Sequence, residues 1–271
     1  MVELDEKYFE KFKEFVNTEL DFSVRYYNEE YIKRRLRSRI RRKQCDNLEQ
    51  YFQILIHSEE EQKELLQAFS INVTSFFRNN DVWGGVRELL REKTQNGECH
   101  VWSAGCSDGR EPYSIALVAL DDNRIDDSKV KITGTDINEE VLEKARKARY
   151  ENTITDKISE QMEYISHPER FTIENEDYFE LTDEVKDKVT FKKHDLIRDP
   201  VNDKYEIILC RNVLIYLERE HEDDIIQTIA TAMHEDSHLI IGKADSLPPG
   251  ITGRFTTTDS SLRIYKYRGG N

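Results

Sequence analysis

The sequence predicts an α/β protein in two parts: an all-α N-terminal region, then a domain built on a mostly parallel sheet. Apolar residues recur at helical spacing up to about residue 95, whereas short apolar runs alternate with helical patterns after it. Such alternation is typical of a parallel sheet with helices on both faces. The length of 271 residues also suits two domains, which we place at 1–78 and 79–271.

Spacing and capping residues define the predicted N-terminal helices. The first has an apolar stripe made of Tyr8, Phe9, Phe12, Phe15, Val16 and Leu20. Asn28 can cap a second helix over 28–43, and Ser58 with Glu61 has the spacing of a capping box for a fourth. The other helical patterns cover 48–55 and 81–94.

The second region alternates between strand and helix patterns. Its strand patterns, in order, are CHVWSAG, KITGTD, VTFKKHDL, YEIILC, HLIIG and SLRIYKYR. Helical patterns cover 113–120, 138–148 and 225–233. The stretch at about 150–188 is polar and lacks clean periodicity, so we expect a small insertion there.

Composition excludes several classes of protein. The 40 basic and 54 acidic side chains give a formal net charge of −14, which argues against a basic nucleic-acid or membrane-surface binder. The 13 Tyr, 12 Phe and 2 Trp supply core-forming bulk that a disordered acidic chain lacks. No apolar run suits a transmembrane helix, the N-terminus is acidic, and the four cysteines form no CxxC pair. These features predict a cytoplasmic protein with free thiols.

One segment departs from this acidic average. Residues 25–43 contain nine Lys or Arg and two Glu, a net charge of +7, which leaves −21 on the other 252 residues. A basic helix marks contact with RNA or a membrane in some proteins and is only a solvated face in many others. The segment is therefore the one place where we expect an anionic partner to bind.

The loop after the first predicted strand is the first candidate for ligand binding. Gly105 and Gly109 permit a tight turn and a close approach of the backbone to a ligand. The loop has neither the GxGxxG nor the GxxxxGK[ST] pattern, which argues against pyrophosphate or triphosphate. Alone, it is equally consistent with an ordinary strand–helix turn. Glu111 would place a carboxylate beside the loop, where it suits an amine.

Two further strand ends carry polar residues, and parallel sheets bind ligands at the carboxyl ends of their strands. Asp136 follows the second strand, where a carboxylate can accept both hydrogen bonds from a ribose diol or can cap the next helix. Arg211 and Asn212 follow YEIILC, although a strand-end turn with a solvated Arg211 is the alternative. The [DN]PP[YF] pattern of nucleic-acid amino methyltransferases is absent. Together these groups favour S-adenosylmethionine over NAD or ATP.

One motif points elsewhere. Residues 234–238 spell HExxH, a zinc-protease motif that requires both histidines on one face of a continuous helix. Here Asp236 and Ser237 are typical of a turn that leaves a helix, and His238 opens the strand pattern HLIIG. We therefore expect neither a metal site nor a metalloprotease.

Four separated motifs occur in the order found in one known family. They are NVTSFFR (72–78), VWSAGCSDGREPYSIAL (101–117), TDINEEVLEKARKARY (135–150) and CRNVLIYL (210–217). With them the chain resembles the CheR-type chemotaxis receptor glutamate O-methyltransferases over nearly its whole length. The resemblance implies a Rossmann-like class I S-adenosylmethionine methyltransferase domain with a small antiparallel β insertion, preceded by an all-α domain.

The resemblance also implies an activity. Members of the family transfer a methyl group from S-adenosylmethionine to glutamate carboxylates on the cytoplasmic domains of chemoreceptors, the methyl-accepting chemotaxis proteins. The products are glutamate methyl esters, which serve chemotactic adaptation, and S-adenosylhomocysteine. We therefore expect chemoreceptors as partners, with no nucleic acid and no membrane insertion. Some members hold a receptor tail peptide in the inserted subdomain, and residues 150–188 leave that question open.

The family motifs imply a set of cofactor contacts in this sequence. With the loop residues Ala104 and Gly105, the set is Asn72, Thr74, Arg78, Ala104, Gly105, Glu111, Asp136, Asp195, Leu196, Asn212 and Val213. Asp195 stands where Asn is usual, which removes two donors and weakens its assignment as an adenine contact. Arg110 stands where Glu is usual, and Lys243 lies in a stretch that differs from the Gly-His-Ser-Glu type.

Three groups of residues then receive roles from the resemblance and the chemistry. Arg78 is the first candidate to orient the substrate glutamate, because its guanidinium fork suits a carboxylate. Tyr216 is the second candidate, as a neutral donor, although it is equally consistent with a core aromatic. The basic helix would dock on acidic receptor helices through Arg34, Arg37 and Arg41.

Two other functions stay open at this point. One is a methyltransferase for RNA or a small molecule, with the basic helix binding phosphates. The other is a non-catalytic signalling protein that binds S-adenosylmethionine. Retention of Arg78, Asn212 and Tyr216 argues mildly against the non-catalytic alternative.

Overall fold

The computed structural model describes residues 4–69, 74–151, 157–175 and 177–269. The chain divides into two compact units, Met1–Ile71 with Tyr216–His221, and Asn72–Ile215 with Glu222–Asn271. Residues 74–78, which we assign from the sequence to the first domain, thus group with the second unit. Within the described residues, no helix combines the length and the apolar character that a membrane crossing requires.

The first unit is built from helices around an aromatic and aliphatic core. Its helices are α1 (Glu6–Thr18), α2 (Glu29–Arg42), α3 (Leu48–His57) and α4 (Glu59–Phe69). Phe9 and Phe12 on α1 and Leu36 on α2 are fully buried in this core. Because these residues recur every three or four positions, one face of each helix is apolar and packs inward.

The two predicted caps in this unit have different outcomes. The Asn28 side chain accepts hydrogen bonds from the amides of Glu30 (3.1 Å) and Tyr31 (3.2 Å), so the predicted cap of α2 is confirmed. Ser58 Oγ accepts from the amide of Glu61 at 3.2 Å, which is only half of the predicted capping box. The Glu61 carboxylate binds Arg39 instead of the chain at Ser58, because a charged partner forms the stronger hydrogen bond.

The remainder of the chain alternates helices and strands. The helices are α5 (Val82–Asn96), α6 (Arg110–Asp121), α7 (Glu139–Lys147), α8 (Ile158–Gln161), α9 (Pro168–Phe171), α10 (Asp183–Lys186) and α11 (Arg219–Thr231). The strands are β1 (Cys99–Ala104), β2 (Val130–Asp136), β3 (Arg149–Glu151), β4 (Thr172–Glu174), β5 (Tyr178–Leu181), β6 (Val189–Lys193), β7 (Tyr205–Cys210), β8 (Met233–Ile241), β9 (Phe255–Asp259) and β10 (Ile264–Tyr267).

The main sheet has the order β6-β2-β1-β7-β8-β10-β9. Pairing is parallel from β6 to β8, and β10 is antiparallel to both β8 and β9. The chain runs from β1 outward to β2 and β6, then returns to β7 on the other side of β1. This reversal opens a crevice at the carboxyl ends of β1 and β7. The predicted α/β class is confirmed, while the polar edge strand β9 has no counterpart among the predicted strands.

The insertion contains a second, three-stranded sheet in the order β3-β5-β4, with both pairings antiparallel. This confirms the antiparallel β insertion implied by the family resemblance. The strands are only three or four residues long, so none carries enough alternation to be recognised in the sequence.

The HExxH residues do not lie where we expected. Helix α11 ends at Thr231, and residues 234–238 lie within β8, so the turn predicted at Asp236 and Ser237 does not leave a helix. Instead Asp236 has a positive φ of 70° inside an irregular pairing of β8 with β7. His238 is buried while His234 is exposed, and the helical geometry of the zinc motif is absent from this described segment.

Candidate active site

The loop between β1 and α6 is held to the end of β2. The amides of Gly105 and Cys106 both donate to the carbonyl of Thr135 at 2.8 Å. Gly105 (φ 74°) and Ser107 (φ 52°) adopt the left-handed conformation, so the loop turns sharply directly after the strand. Ala104, the last residue of β1, is fully buried beneath this turn.

Gly105 also touches the loop that follows β7. A Cβ atom at Gly105 would lie 2.6 Å from Cγ2 of Val213, a distance that real side chains do not tolerate. The two loops therefore meet across the crevice, and residue 105 must lack a side chain. This contact joins two of the predicted cofactor contacts, Gly105 and Val213.

Asp136 takes one backbone donor on each carboxylate oxygen. Oδ2 accepts from the amide of Ser107 at 2.9 Å and Oδ1 from the amide of Asn138 at 3.0 Å. Asn138, not Asp136, caps α7, since its side chain accepts from the amide of Glu140. Desolvation raises the pKa of Asp136, and its backbone donors oppose the rise. A carboxylate has about four lone-pair positions, so Asp136 can still accept from a diol beside its backbone donors.

Glu111 lies at the start of α6 and is bound on both oxygens. Oε1 accepts from the Ser103 hydroxyl at 2.8 Å, and Oε2 accepts from Nη1 of Arg211 at 3.0 Å. The Glu111 side chain retains 14% exposure, whereas that of Arg211 retains 2%. The remaining lone pairs of the Glu111 carboxylate suit a cationic ligand group. The sequence predicts the same use for Glu111, as a partner for an amine.

Arg211 links this carboxylate to the segment that carries Arg78. Its Nη2 donates to the backbone carbonyl of Arg78 at 2.8 Å and to Oδ1 of Asn79 at 3.0 Å. The indole of Trp83 donates to the same carbonyl at 3.2 Å. The alternative of a solvated Arg211 is therefore wrong, because its guanidinium binds two chain segments from a buried position. The side chain of Arg78 itself is half-buried.

Thr74 is held by a hydrogen bond from the side chain of Arg110 to its backbone carbonyl. The guanidinium of Arg110 donates to the Thr74 carbonyl at 3.3 Å, lies 3.4 Å from Asp108 and stacks 4.9 Å from the centre of the Tyr150 ring. A glutamate could make none of these contacts with a carbonyl, a carboxylate and a ring face. The departure from the family pattern at residue 110 thus has a structural use in this chain. Asn72, the neighbouring predicted contact, lies outside the described residues.

Asp195 and Leu196 follow the end of β6. The amide of His194 donates to the carbonyl of Asp136 at 3.0 Å, which sets residues 195–196 beside the end of β2. Oδ1 of Asp195 accepts from the amides of Ile197 (2.9 Å) and Arg198 (3.3 Å). The Asp195 carboxylate therefore stabilises the turn at residues 195–198. An asparagine side-chain oxygen could accept the same two hydrogen bonds. Leu196 is buried.

Asn212 and Val213 follow β7, and a residue that sequence reasoning did not select holds their loop. Asn212 has a φ of 59°, and its amide donates to Oδ2 of Asp245 at 2.8 Å. The amide of Ile215 donates to the other oxygen of Asp245 at 3.2 Å. The sequence feature that could have identified Asp245 is its position as the acidic residue shortly after the strand pattern HLIIG.

Tyr216 and the docking arginines belong to the first unit. The ring of Tyr216 packs 5.0 Å from that of Tyr31, and its carbonyl accepts from the amide of Asn28 at 2.8 Å. Tyr216 therefore has the packing expected of the core-aromatic alternative. Arg34 and Arg41 are exposed on α2, and Arg37 between them is half-buried with Nη1 4.0 Å from Glu30.

The chemistry of the second-unit residues fits a ligand with a diol and an amine. Asp136 and Glu111 supply two carboxylates at neighbouring strand ends, and the backbone at Gly105 allows close approach. The hydroxyl oxygen of Ser107 is buried in the same loop without a hydrogen-bond partner in the protein, which a bound ligand would supply. Within the described ranges, no group of three or more His, Cys, Asp or Glu could hold a metal ion.

Comparison with known proteins gives two family matches. Residues 7–70 match the family described as CheR methyltransferase, all-alpha domain, and residues 72–264 match CheR methyltransferase, SAM binding domain. These two ranges correspond to the helical unit and to most of the α/β unit.

Similar proteins of known name span most of the chain. The chemotaxis protein methyltransferase of Listeria monocytogenes is 30% identical over 247 residues, which cover 89% of this chain and 91% of the relative. A probable chemotaxis protein methyltransferase of Rhizobium etli is 32% identical, with coverage of 76% and 78%. The chemotaxis protein methyltransferase of Borreliella burgdorferi is 32% identical, with coverage of 68% of each chain.

Proposed function

The chain belongs to the CheR methyltransferase family, and on this premise we propose that it methylates glutamate side chains of chemoreceptors. It is an S-adenosylmethionine-dependent methyltransferase of chemotaxis. The finer proposal is that the acceptor is a glutamate carboxylate on a chemoreceptor cytoplasmic domain, and that the product is a methyl ester. The observation that carries it is the buried Arg211 bridge, which ties the Glu111 carboxylate to the backbone of Arg78.

The bridge suits transfer to an anionic acceptor. We assign Glu111 to the amine of the cofactor and Asp136 to its ribose diol, because each carboxylate has lone pairs left for such donors. Arg78 then presents a guanidinium fork to the glutamate. A carboxylate acceptor needs orientation by a cation, whereas a hydroxyl or amine acceptor needs a base.

The proposed reaction requires little acid–base chemistry from the protein. S-adenosylmethionine supplies a methyl group on a sulfonium, which is already an activated leaving group. A glutamate side chain has an ordinary pKa of about 4.3, so it is anionic at neutral pH and needs no general base. The residues of this chain have to align the carboxylate with the methyl carbon and remove water from it. Arg78 would hold one carboxylate oxygen and leave the other to react.

The test is to incubate the protein with labelled S-adenosylmethionine and cytoplasmic fragments of chemoreceptors. We expect label in the receptor that mild base releases as methanol, because methyl esters are base-labile. Methylated RNA or a labelled small molecule, with no label in receptor fragments, would contradict the proposal. Receptor fragments with glutamine in place of the modified glutamates should accept no label.

Arg78 gives a sharper test of the same proposal. Arg78→Ala should lower the turnover number by about a hundredfold or more, because orientation of the reacting groups is lost. Arg78→Lys keeps the charge without the fork and should recover only part of the rate. Equal receptor methylation by wild type and Arg78→Ala would exclude the role. Binding of S-adenosylhomocysteine, measured in parallel, separates loss of orientation from loss of the cofactor.

Tyr216 needs a pair of variants, because its ring has a packing role with Tyr31. Tyr216→Phe keeps the ring and removes only the hydroxyl, whereas Tyr216→Leu removes both. If the hydroxyl donates to the substrate, Tyr216→Phe lowers turnover by about tenfold, within the range of a lost hydrogen bond. A fully active Tyr216→Phe with an unstable Tyr216→Leu would leave Tyr216 a packing role only.

The basic helix α2 is proposed to dock on acidic receptor helices. Several of its cations already have partners within the unit: Arg39 and Lys43 bind Glu61, and Lys33 binds Glu29. Arg34 and Arg41 are exposed on α2, and the half-buried Arg37 lies between them near Glu30 at helical spacing. This pattern favours a helical, acidic partner over a solvated face alone.

Charge reversal tests the docking proposal. A triple change of Arg34, Arg37 and Arg41 to Glu should raise KM for the receptor by about tenfold or more and leave cofactor affinity unchanged, since attraction to acidic helices becomes repulsion. The wild-type KM should rise with salt, and the dependence should weaken in the variant. The matched control reverses three exposed cations elsewhere, Lys144, Lys147 and Arg254. An equal rise of KM in the control would show that the change in net charge, and not docking through α2, causes the effect.

A further inference from the structure

We propose that Asp245 is the positioning residue for the loop after β7, and that it sets cofactor affinity without touching the cofactor. The inference rests on the proposed contacts of Asn212 and Val213 with S-adenosylmethionine. It concerns binding of the cofactor alone, so it holds whatever the methyl acceptor is.

The Asp245 carboxylate collects three backbone amides. Oδ2 accepts from Asn212 at 2.8 Å and from Gly242 at 2.9 Å, while Oδ1 accepts from Ile215 at 3.2 Å. The residue is 2% exposed, so water does not replace these bonds. Two donors come from the loop after β7 and one from the turn after β8, and these are adjacent parallel strands. One side chain therefore clamps two strand ends together.

The clamped loop has a conformation that needs such support. Asn212 adopts a φ of 59°, which costs free energy for a residue other than glycine. Val213, the next residue, lies against the backbone of Gly105 so closely that no Cβ fits between them. Release of the Asn212 amide would therefore shift Val213 and open the contact between the two cofactor-binding loops.

The charge of Asp245 suits this position. Its ionised carboxylate has two acceptor oxygens and binds all three donors. Asparagine has one acceptor oxygen, so it can satisfy either the Asn212 and Gly242 pair or Ile215, but its NH2 group must then face an N–H donor.

The experiment measures the Kd for S-adenosylhomocysteine by calorimetry in full-length protein. Asp245→Asn should raise Kd by about tenfold, which corresponds to ~1.4 kcal/mol. The matched control is Asp259→Asn: Asp259 also accepts two backbone amides, from Ser261 (2.9 Å) and Leu262 (3.0 Å), but at the far edge strand β9. The control should change Kd by less than about twofold, since a distant turn has no path to the site.

A double-mutant cycle separates positioning from general destabilisation. Asn212→Ala should raise Kd on its own, and Asp245→Asn added to it should raise Kd by less than it does in wild type, because part of the Asp245 effect acts through the Asn212 side chain. Additive effects, or a wild-type Kd for Asp245→Asn, would overturn the proposal. An unchanged Kd for Asn212→Ala would overturn it as well, by removing the contact through which it acts.

A second variant covers the case in which Asp245→Asn does not fold. Gly242→Ala introduces a Cβ that would lie 2.5 Å from Oδ2 of Asp245 and 2.7 Å from the Asn212 amide, so it disturbs the hydrogen bond between them. It should raise Kd in parallel and accelerate hydrogen exchange at the amides of Asn212 and Ile215. Wild-type affinity and exchange in folded Gly242→Ala would contradict the clamp.

Discussion

The two units bury carboxylates in opposite ways. In the helical unit, Glu61 is fully buried and binds side chains: Arg39 at 2.6 Å, Tyr51 at 2.7 Å and Lys43 at 2.9 Å. In the α/β unit, Asp245 is also buried, but its hydrogen bonds within the described residues come from three backbone amides. The difference in partners separates a group that stabilises packing from one that shapes a loop.

The pKa shifts of the two groups have opposite signs. Burial, the largest effect at Glu61, acts to raise its pKa, but hydrogen bonds from Arg39, Lys43 and Tyr51 together hold the pKa below its ordinary value. At Asp245 burial is again the largest effect, and the backbone amides and the charge of Arg211 do not outweigh it, so its pKa is raised. Ionised Glu61 therefore stabilises its unit, whereas ionised Asp245 costs stability and provides geometry.

Glu111 lies between these two cases. It has one cation, Arg211, and one hydroxyl, Ser103, and it keeps part of its surface exposed. A carboxylate that is only partly saturated by the protein can still bind a ligand. We therefore expect Glu111, rather than Glu61, to bind a ligand.

Removal of Glu61 should have the largest effect on stability. Glu61→Ala leaves Arg39 and Lys43 near a cavity without their counter-charge, so the helical unit should lose about 3–5 kcal/mol of unfolding free energy. Hydrogen exchange of the α2, α3 and α4 amides would measure the loss. Both tryptophans, Trp83 and Trp102, lie in the second unit, so their fluorescence reports that unit separately. A loss below about 1 kcal/mol would show that Glu61 stabilises its unit no more than an exposed ion pair does.

Glu111→Gln should chiefly affect binding. The amide loses the charge that a ligand amine and Arg211 both require, so Kd for S-adenosylhomocysteine should rise by about 30- to 150-fold, or ~2–3 kcal/mol. Calorimetry gives this directly. The control is Glu206→Gln, whose carboxylate accepts from the His100 amide at 2.7 Å near the amino end of the same sheet. Equal loss in both variants would show that the effect is not specific to the site.

The opposite pKa shifts predict that stability depends on pH in opposite ways at the two carboxylates. The advantage of wild type over Glu61→Gln is present above the unfolded pKa of about 4.3 and is lost as pH falls through the lower folded pKa. For Asp245 the raised folded pKa makes wild type gain relative to Asp245→Asn as pH falls from 7 through that value. Urea unfolding at pH 7, 5 and 3.5 tests both, and changes of the same sign would refute the assignment.

The smallest effect should come from the exposed partner in the Glu61 network. Glu64 binds Arg39 at 3.0 Å, but its side chain is 44% exposed. Glu64→Gln should cost no more than about 0.5–1 kcal/mol, because water already solvates and screens this pair. Comparison of Glu64→Gln with Glu61→Ala in the same exchange experiment therefore measures what burial adds.

Much of the architecture could be predicted because it depends on local patterns. The apolar runs at Cys99–Ala104 and Tyr205–Cys210 are buried central strands, and Asn28 caps α2 as its position indicates. The edge strand Phe255–Asp259 was not recognised, because only its first residue is buried and it carries no apolar alternation. The short strands of the insertion lacked a pattern for the same reason.

The sequence proposed candidate residues for the site but did not predict the contacts among them. The motifs identified Gly105, Glu111, Asp136 and Asn212, which the structure brings to neighbouring strand ends. They did not reveal that Arg211 is buried or that Asp245 holds the β7 loop. Only half of the predicted capping box formed, because Arg39, 22 residues away in sequence, binds the Glu61 carboxylate.

The sequence by itself determined the order of helices and strands, the family, the cofactor and the loops where polar residues gather. These follow from periodicity and from motifs, which are properties of neighbouring residues. Only the tertiary structure decided which partner each buried charge takes, since Glu111 meets Arg211 across 100 residues and Asn212 meets Asp245 across 33. A buried charge must find a donor or a counter-ion wherever the fold supplies one, and this choice separates Glu61, which stabilises a helical core, from Asp245, which holds the loop after β7.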